Sequence, residues 1–250
     1  MKQSALQVAM ATLNAALYVV LGLLSASLPT LFGVRFWPQV FVPGAFAVLF
    51  GPWVGGVGAA VGIFIADVVY GHHDALLSLL VGVPSNLVCF ALLGYLSRKS
   101  LKSAARVGSI TAGIVAPIIL VAYGVYAFSG STLSMLVGIG AVVVALVAVP
   151  YLARSSWAQV QASSSIGLAV GSLIIGFGIV AYSSFFVMPQ VLELGSGALP
   201  IVFAYGTTLW TYLSEIPFLL ILTPPIVKAV RATLPSLRIE QPKVRQSRNA

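Results

Sequence analysis

Residues 49–71 read LFGPWVGGVGAAVGIFIADVVYG. The run is apolar enough to lie in a bilayer, where about 20 apolar residues cross roughly 30 Å of hydrocarbon. It opens on Gly51-Pro52-Trp53, is dense in glycine and alanine, and carries Asp67 near its far end. Gly51-Pro52 turns the chain, with proline at the start of the next helix, where a missing N–H costs nothing. Gly55, Ala59, Gly62 and Ala66 then share one helical face. Small residues let helix backbones approach closely, and in lipid that contact is a main source of association.

The rest of the chain agrees with a membrane setting. Of 250 residues, 59% are hydrophobic and 7% charged, and the mean hydropathy is +1.04, against about 25% charged residues in a soluble domain. Apolar segments recur along the whole length, which predicts an all-α polytopic bundle rather than a barrel. Helices are expected at about 5–28, 38–51, 53–71, 76–97, 107–128, 133–152, 165–187 and 200–223, roughly eight crossings. They form one integral membrane domain over 1–232, followed by a basic tail, 233–250, too polar to fold alone. Pro43 and Gly44 make the short second helix a candidate for bending. The first helix reads as retained, not as a cleaved signal peptide. Cys89, the lone cysteine, excludes an intramolecular disulfide and a cysteine metal cluster.

Lys and Arg set the expected threading, because cytoplasmic loops carry an excess of them. With the N-terminus inside, Lys2, the cluster Arg98, Lys99, Lys102 and Arg106, then Arg154 and the tail from Lys228 to Arg248 all fall on the cytoplasmic side of the cell membrane. Asp74 and Glu193 fall outside, and Arg35 is the exception. Both termini are therefore expected to be cytoplasmic. The formal net charge of +8 is a topology signal and an attraction to anionic lipid. It is no nucleic-acid footprint, because aromatic residues are not interleaved with the basic ones.

Several polar groups interrupt the apolar background. On the first helix Gln7, Asn14, Tyr18 and Ser25 form one stripe, and Ala11, Ala15, Gly22 and Ala26 form a flat one beside it. Ser85 and Asn86 lie within the fourth helix, and Tyr205, Thr208, Tyr212 and Glu215 share a face of the last. Counted from the outer helix ends at 1.5 Å per residue, Asp67 lies about 6 Å down, Tyr205 and Thr208 about 8–12 Å, and Asn86 and Tyr18 about 15 Å. This predicts an outer polar layer, with the loop carrying Arg35 and Trp37 above it. Glu215, roughly 22 Å down, is expected below that layer, level with Asn14 and Gln7. His72-His73-Asp74 reads as a polar outer turn, since the chain has no further His to complete a metal site. There is no GxxxxGK[ST] loop, and neither a catalytic constellation nor a cofactor motif is present, so the chain is not expected to be an enzyme.

An Ala-xxx-Ala first helix, the loop VRFWP, the segment VPGAFAVLFGPWVGGVGAAVGIFIAD and then LLVGVPSNLVCFALLGYL resemble the substrate-binding S components of energy-coupling factor transporters. SEIPFLLILTPPIVKAV resembles their final helix, and together these pieces cover about half of the chain. The resemblance implies a six-helix core that captures a vitamin-like micronutrient in its outer half, with 107–152 as an extra hairpin. It also implies docking of the first helix, through Ala5 with Ala9 and Ala11 with Ala15, on a transmembrane T component coupled to two cytoplasmic ATPases. The expected substrate-binding residues are Arg35, Trp37, Asp67, Asn86, Tyr205 and Thr208. Two other readings use part of the same pattern: a membrane-integral sensory input domain, for which no output module follows in this sequence, and a stand-alone secondary carrier.

The threading makes a direct prediction. Cysteine substituted at Asp74 or Glu193 is expected to react with an impermeant thiol reagent in intact cells, and cysteine at Lys99 is not. Labelling of Lys99→Cys from outside reverses the orientation.

Overall fold

The computed structural model describes residues 3–25, 27–28, 30–70, 75–103, 105–111, 113–114, 156–188 and 197–233. His72, His73, Asp74, Arg154, Glu193, nearly all of the expected hairpin and the tail beyond Thr233 lie outside these residues.

Helix α1 spans Gln3–Leu24. It is followed by a hairpin of β1, Thr30–Leu31, and β2, Val34–Arg35. A 3-10 turn at Pro38–Val40 leads into α2, Phe41–Phe50. Next come α3, Pro52–Tyr70, α4, Ala75–Leu96, α5, Ala158–Phe185, and α6, Ile201–Thr233. Among the described residues, α1, α3, α4, α5 and α6 are long and apolar enough to cross a membrane, as the composition requires.

Packing makes a ring. Helix α3 contacts α1, α2 and α4; α4 contacts α5, α5 contacts α6, and α2 closes the circuit between α3 and α6. The glycines of α3 serve three different neighbours. A Cβ at Gly55 would lie 2.6 Å from Ala47 Cα of α2, one at Gly56 2.8 Å from the Leu87 carbonyl of α4, and one at Gly62 3.2 Å from Ala15 Cα of α1. Gly51, at φ 115°, makes the tight corner that lets α2 fold back on α3, a conformation that side chains disfavour.

Helix α1 ends at Leu24 rather than 28, ahead of the hairpin, and two further departures from the expected helix limits are linked. Helix α5 begins at Ala158, before the polar run Gln161–Ser165, rather than at 165. Helix α6 continues through Pro224 and Pro225 to Thr233 instead of stopping at 223. Pro224 has no N–H to give the carbonyl four residues back, which is that of Leu220. Gln161 Nε2 of α5 donates to that carbonyl at 3.5 Å. The polar start of α5 therefore lies inside the bundle, where it helps to satisfy backbone that the prolines release.

Helix α4 widens into a π turn over Ser78–Gly82, where the Val83 N–H reaches the Ser78 carbonyl. Pro84, which follows, has no N–H to hold the ordinary spacing. The Gly82 carbonyl, at the end of this turn, accepts from Ser85 Oγ at 2.9 Å and Asn86 Nδ2 at 3.0 Å.

If close approach along α3 sustains the bundle, Gly56→Val lowers stability by about 1–3 kcal/mol through overpacking. Gly108→Ala, at an exposed helical position where an added Cβ meets nothing within 4 Å, leaves it unchanged or raises it by up to about 1 kcal/mol. Thermal unfolding of the two variants in detergent makes the comparison, and equal behaviour refutes the claim.

Candidate functional site

Inside the ring lies a cavity, open at its mouth, with about 750 Å³ of space free of atoms, open solvent at the mouth included. Most of its wall is apolar, from Ile63 of α3, Leu77 and Val81 of α4, and Leu168, Ile175 and Ile179 of α5. A few polar groups converge on it from different elements, the usual composition of a small-molecule site.

The hairpin shapes the mouth. Its two-residue turn has Phe32 at φ 50° and Gly33 at φ 72°, the positive-φ pair that matches strand twist in tight hairpins. Phe32 is held in this disfavoured conformation by α6. Its ring stacks edge-on to Phe203 at 5.7 Å, its carbonyl accepts from Thr207 Oγ1 at 3.1 Å, and it fills the notch left by Gly206. Trp210 Nε1 donates to the Val34 carbonyl at 2.8 Å. The hairpin thus reaches the level of residue 210, about 14 Å below the start of α6 at 1.5 Å per residue, rather than lying above the bundle.

From this anchor Arg35 and Trp37 enter the cavity wall. The Arg35 guanidinium lies over the Tyr70 ring at 5.8 Å. Burial pulls its pKa below the ordinary arginine value, while Asp67 and Tyr70 pull it back up. Trp37 stands edge-on to Tyr18 at 5.9 Å, and Tyr18 edge-on to Phe90 at 6.4 Å. The Tyr18 hydroxyl donates to Asn86 Oδ1 at 3.1 Å. Asp67 accepts from Ser78 Oγ at 2.6 Å across the π turn.

Four expected site residues, Arg35, Trp37, Asp67 and Asn86, line this one cavity. Tyr205 and Thr208 do not. Tyr205 is 57% exposed and stacks on Phe177, while Thr208 faces Gly176 of α5. Tyr212, on the same stripe, meets Ser165 Oγ of α5 at 2.8 Å. The inward stripe of α6 runs instead through Thr207 and Thr211, which are fully buried, about 100° round the helix. Thr211 and Glu215 are its cavity-lining members. Glu215 is therefore in the site and not beneath it, because the mouth is set by the sunken hairpin rather than by the start of α6. Asn14 is no partner for Glu215: its Nδ2 donates to the Val54 carbonyl at 3.0 Å, and Gln7 is exposed.

The flat face of α1 divides in the same way. Ala15 is 5% exposed and packs on Gly62, so it serves the interior. Ala11 is half-buried, and Ala5 and Ala9 are exposed. Residues that spacing did not pick out as ligand contacts, Tyr18, Ser85, Ser172, Thr211 and Glu215, also line the cavity. An intramembrane carboxylate was a signal in its own right for Glu215. Among the described residues no group of three or more His, Cys, Asp or Glu side chains comes together.

No protein-family model matches the chain, and neither curated proteins nor solved structures yield a match.

Loss of the Asn86 side chain would leave the Tyr18 hydroxyl without its acceptor in a buried setting. Asn86→Ala is expected to destabilise the protein by about 1–3 kcal/mol. Tyr205→Ala, at a surface position, is expected to stay nearer 0.5 kcal/mol. Comparable losses in detergent unfolding would contradict this division of α6 and α4.

Proposed function

We propose that the chain is the membrane-embedded capture subunit of an ATP-driven uptake transporter for a small, vitamin-like micronutrient, of the S-component type that its sequence resembles. The observation that carries the reading is the cavity: a mostly apolar space, rimmed by a sunken hairpin, into which α1, α3, α4 and α6 each place a polar side chain. Its composition, a mostly apolar wall with a few convergent polar groups, suits a small organic ligand. The basic cluster Arg98, Lys99, Lys102 and Arg106 follows the end of α4 remote from the Ser78–Gly82 turn and the cavity. By the distribution of positive charge that end is cytoplasmic, which turns the hairpin outward, toward arriving substrate.

In this reading ATP hydrolysis belongs to partner subunits. The exposed Ala5 and Ala9, with Ala11 beside them, form the docking stripe for a T component, where small side chains permit close helix contact. Ala15 contributes only by holding α1 against α3.

Native mass spectrometry of the purified full-length chain is expected to find a co-purified small molecule. Trp37→Ala removes aromatic surface from the wall and should weaken its binding by about 1–3 kcal/mol. Ala9→Trp should break association with the T component while sparing ligand binding. A folded protein that never carries a small molecule, from a host that supplies the full nutrient range, sinks the capture reading. An Ala9→Trp variant that still assembles sinks only the docking assignment.

A further inference from the structure

The cavity wall holds polar atoms that the described residues leave without a hydrogen bond, Trp37 Nε1 and Ser172 Oγ among them, and one of the groups without a bonded donor is a carboxylate. Glu215 is 7% exposed and lines the cavity, and among the described residues no donor is hydrogen-bonded to its carboxylate. Several donors of the cavity wall are committed elsewhere. Thr211 Oγ1 donates to the Thr207 carbonyl at 2.9 Å, Tyr18 to Asn86 at 3.1 Å, and Ser85 and Asn86 both to the Gly82 carbonyl.

The charges around the cavity do not cancel. Arg35 enters from the hairpin, Asp67 from α3 and Glu215 from α6, while the other titratable groups on the wall are Tyr18 and Cys89. Arg35 and Asp67 attract each other, and Asp67 also holds Ser78. Counted formally, the carboxylate of Glu215 is left without a cation. An ionised carboxylate alone in so apolar a space is strongly unfavourable: it holds a proton until a cationic partner arrives.

The surroundings indicate what kind of partner. Aromatic rings of Tyr18, Trp37 and Phe90 share the wall, and ring faces attract cations as well as flat apolar bodies. Trp210 ties the hairpin to α6 five residues before Glu215, which sets the hairpin about 8 Å from the Glu215 level along the axis. That span suits a single substituted ring.

We propose that Glu215 is the ligand's anchoring carboxylate, and that the ligand is a flat organic monocation bearing N–H donors, of the amidinium or protonated aminoheterocycle class. Its donors meet the Glu215 oxygens, and its ring lies against Tyr18 and Phe90. The assignment rests on the capture reading above and adds the charge class of the substrate.

Three probes of one shape and different charge test it: benzamidine, a cation; benzamide, neutral; and benzoate, an anion. Binding to the full-length protein in detergent is followed by calorimetry. Benzamidine is expected to bind about tenfold or more tighter than benzamide, the scale of a charge-assisted hydrogen bond, with benzoate weakest. Glu215→Gln is expected to erase the difference between benzamidine and benzamide. Equal binding of the three, a preference for benzoate, or an unchanged preference in a folded Glu215→Gln overturns the assignment and leaves capture standing. If Glu215→Gln does not fold, the ranking in the unsubstituted protein decides alone. Failure of all three at millimolar concentration also overturns it, and the mass-spectrometric search then judges capture separately.

Discussion

Helix α3 touches three neighbours at backbone distance because the positions facing them carry no side chain or only a methyl group. Gly55 meets α2, Gly56 meets α4 and Gly62 meets α1. In lipid, apolar side chains gain little by leaving the solvent for one another, so the contact area of close backbones must supply the association. The geometry of the site follows from these contacts. Seating α1 on Gly62 brings Tyr18 within 3.1 Å of Asn86 on α4. Packing α4 along Gly56 brings Ser78 within 2.6 Å of Asp67 on α3 itself. Wider spacing on either side would break a hydrogen bond that orders the cavity wall.

Polar backbone inside the bundle is the second constraint, since unsatisfied N–H and C=O groups are expensive where water is scarce. The structure meets it with side chains from neighbouring elements. Asn14 of α1 covers the Val54 carbonyl of α3, Gln161 of α5 covers the Leu220 carbonyl released by Pro224, and Thr207 and Trp210 of α6 hold the hairpin carbonyls of Phe32 and Val34. Each bond joins two elements, so satisfying the backbone also fixes the helices in register. The hairpin can lie deep among helices for the same reason.

Against that background Glu215 stands apart. Asn86 and Asp67 are tied to the protein by hydrogen bonds that order them, whereas Glu215 faces the cavity without one from the described residues. A carboxylate without a bonded donor, in a wall where Trp37 Nε1 and Ser172 Oγ are also without partners, is better suited to recognition than to support. It shares the cavity wall with Tyr18, Trp37, Phe90 and Thr211, so the site combines a carboxylate with aromatic surface.

The helical membrane class, the corner at Gly51-Pro52 and the close-packing role of α3 were all written in local patterns: long apolar runs, a proline after a glycine, small residues at helical spacing. Arg35, Trp37, Asp67 and Asn86 could be singled out in the same way, because each is a polar or aromatic interruption of an apolar context. What spacing could not supply was the reference level from which depth is measured. The hairpin docks at Trp210 instead of above α6, and this brings Glu215 into the cavity and leaves Tyr205 and Thr208 outside it. Nor could spacing choose between adjacent stripes of α6, which lie about 100° apart and are both polar. Likewise the polar run Gln161–Ser165 resembles a helix boundary until α6 and its prolines lie alongside. Local sequence determines which groups are costly to bury; only the packed neighbours decide which of those groups are satisfied, and so which remain for a ligand.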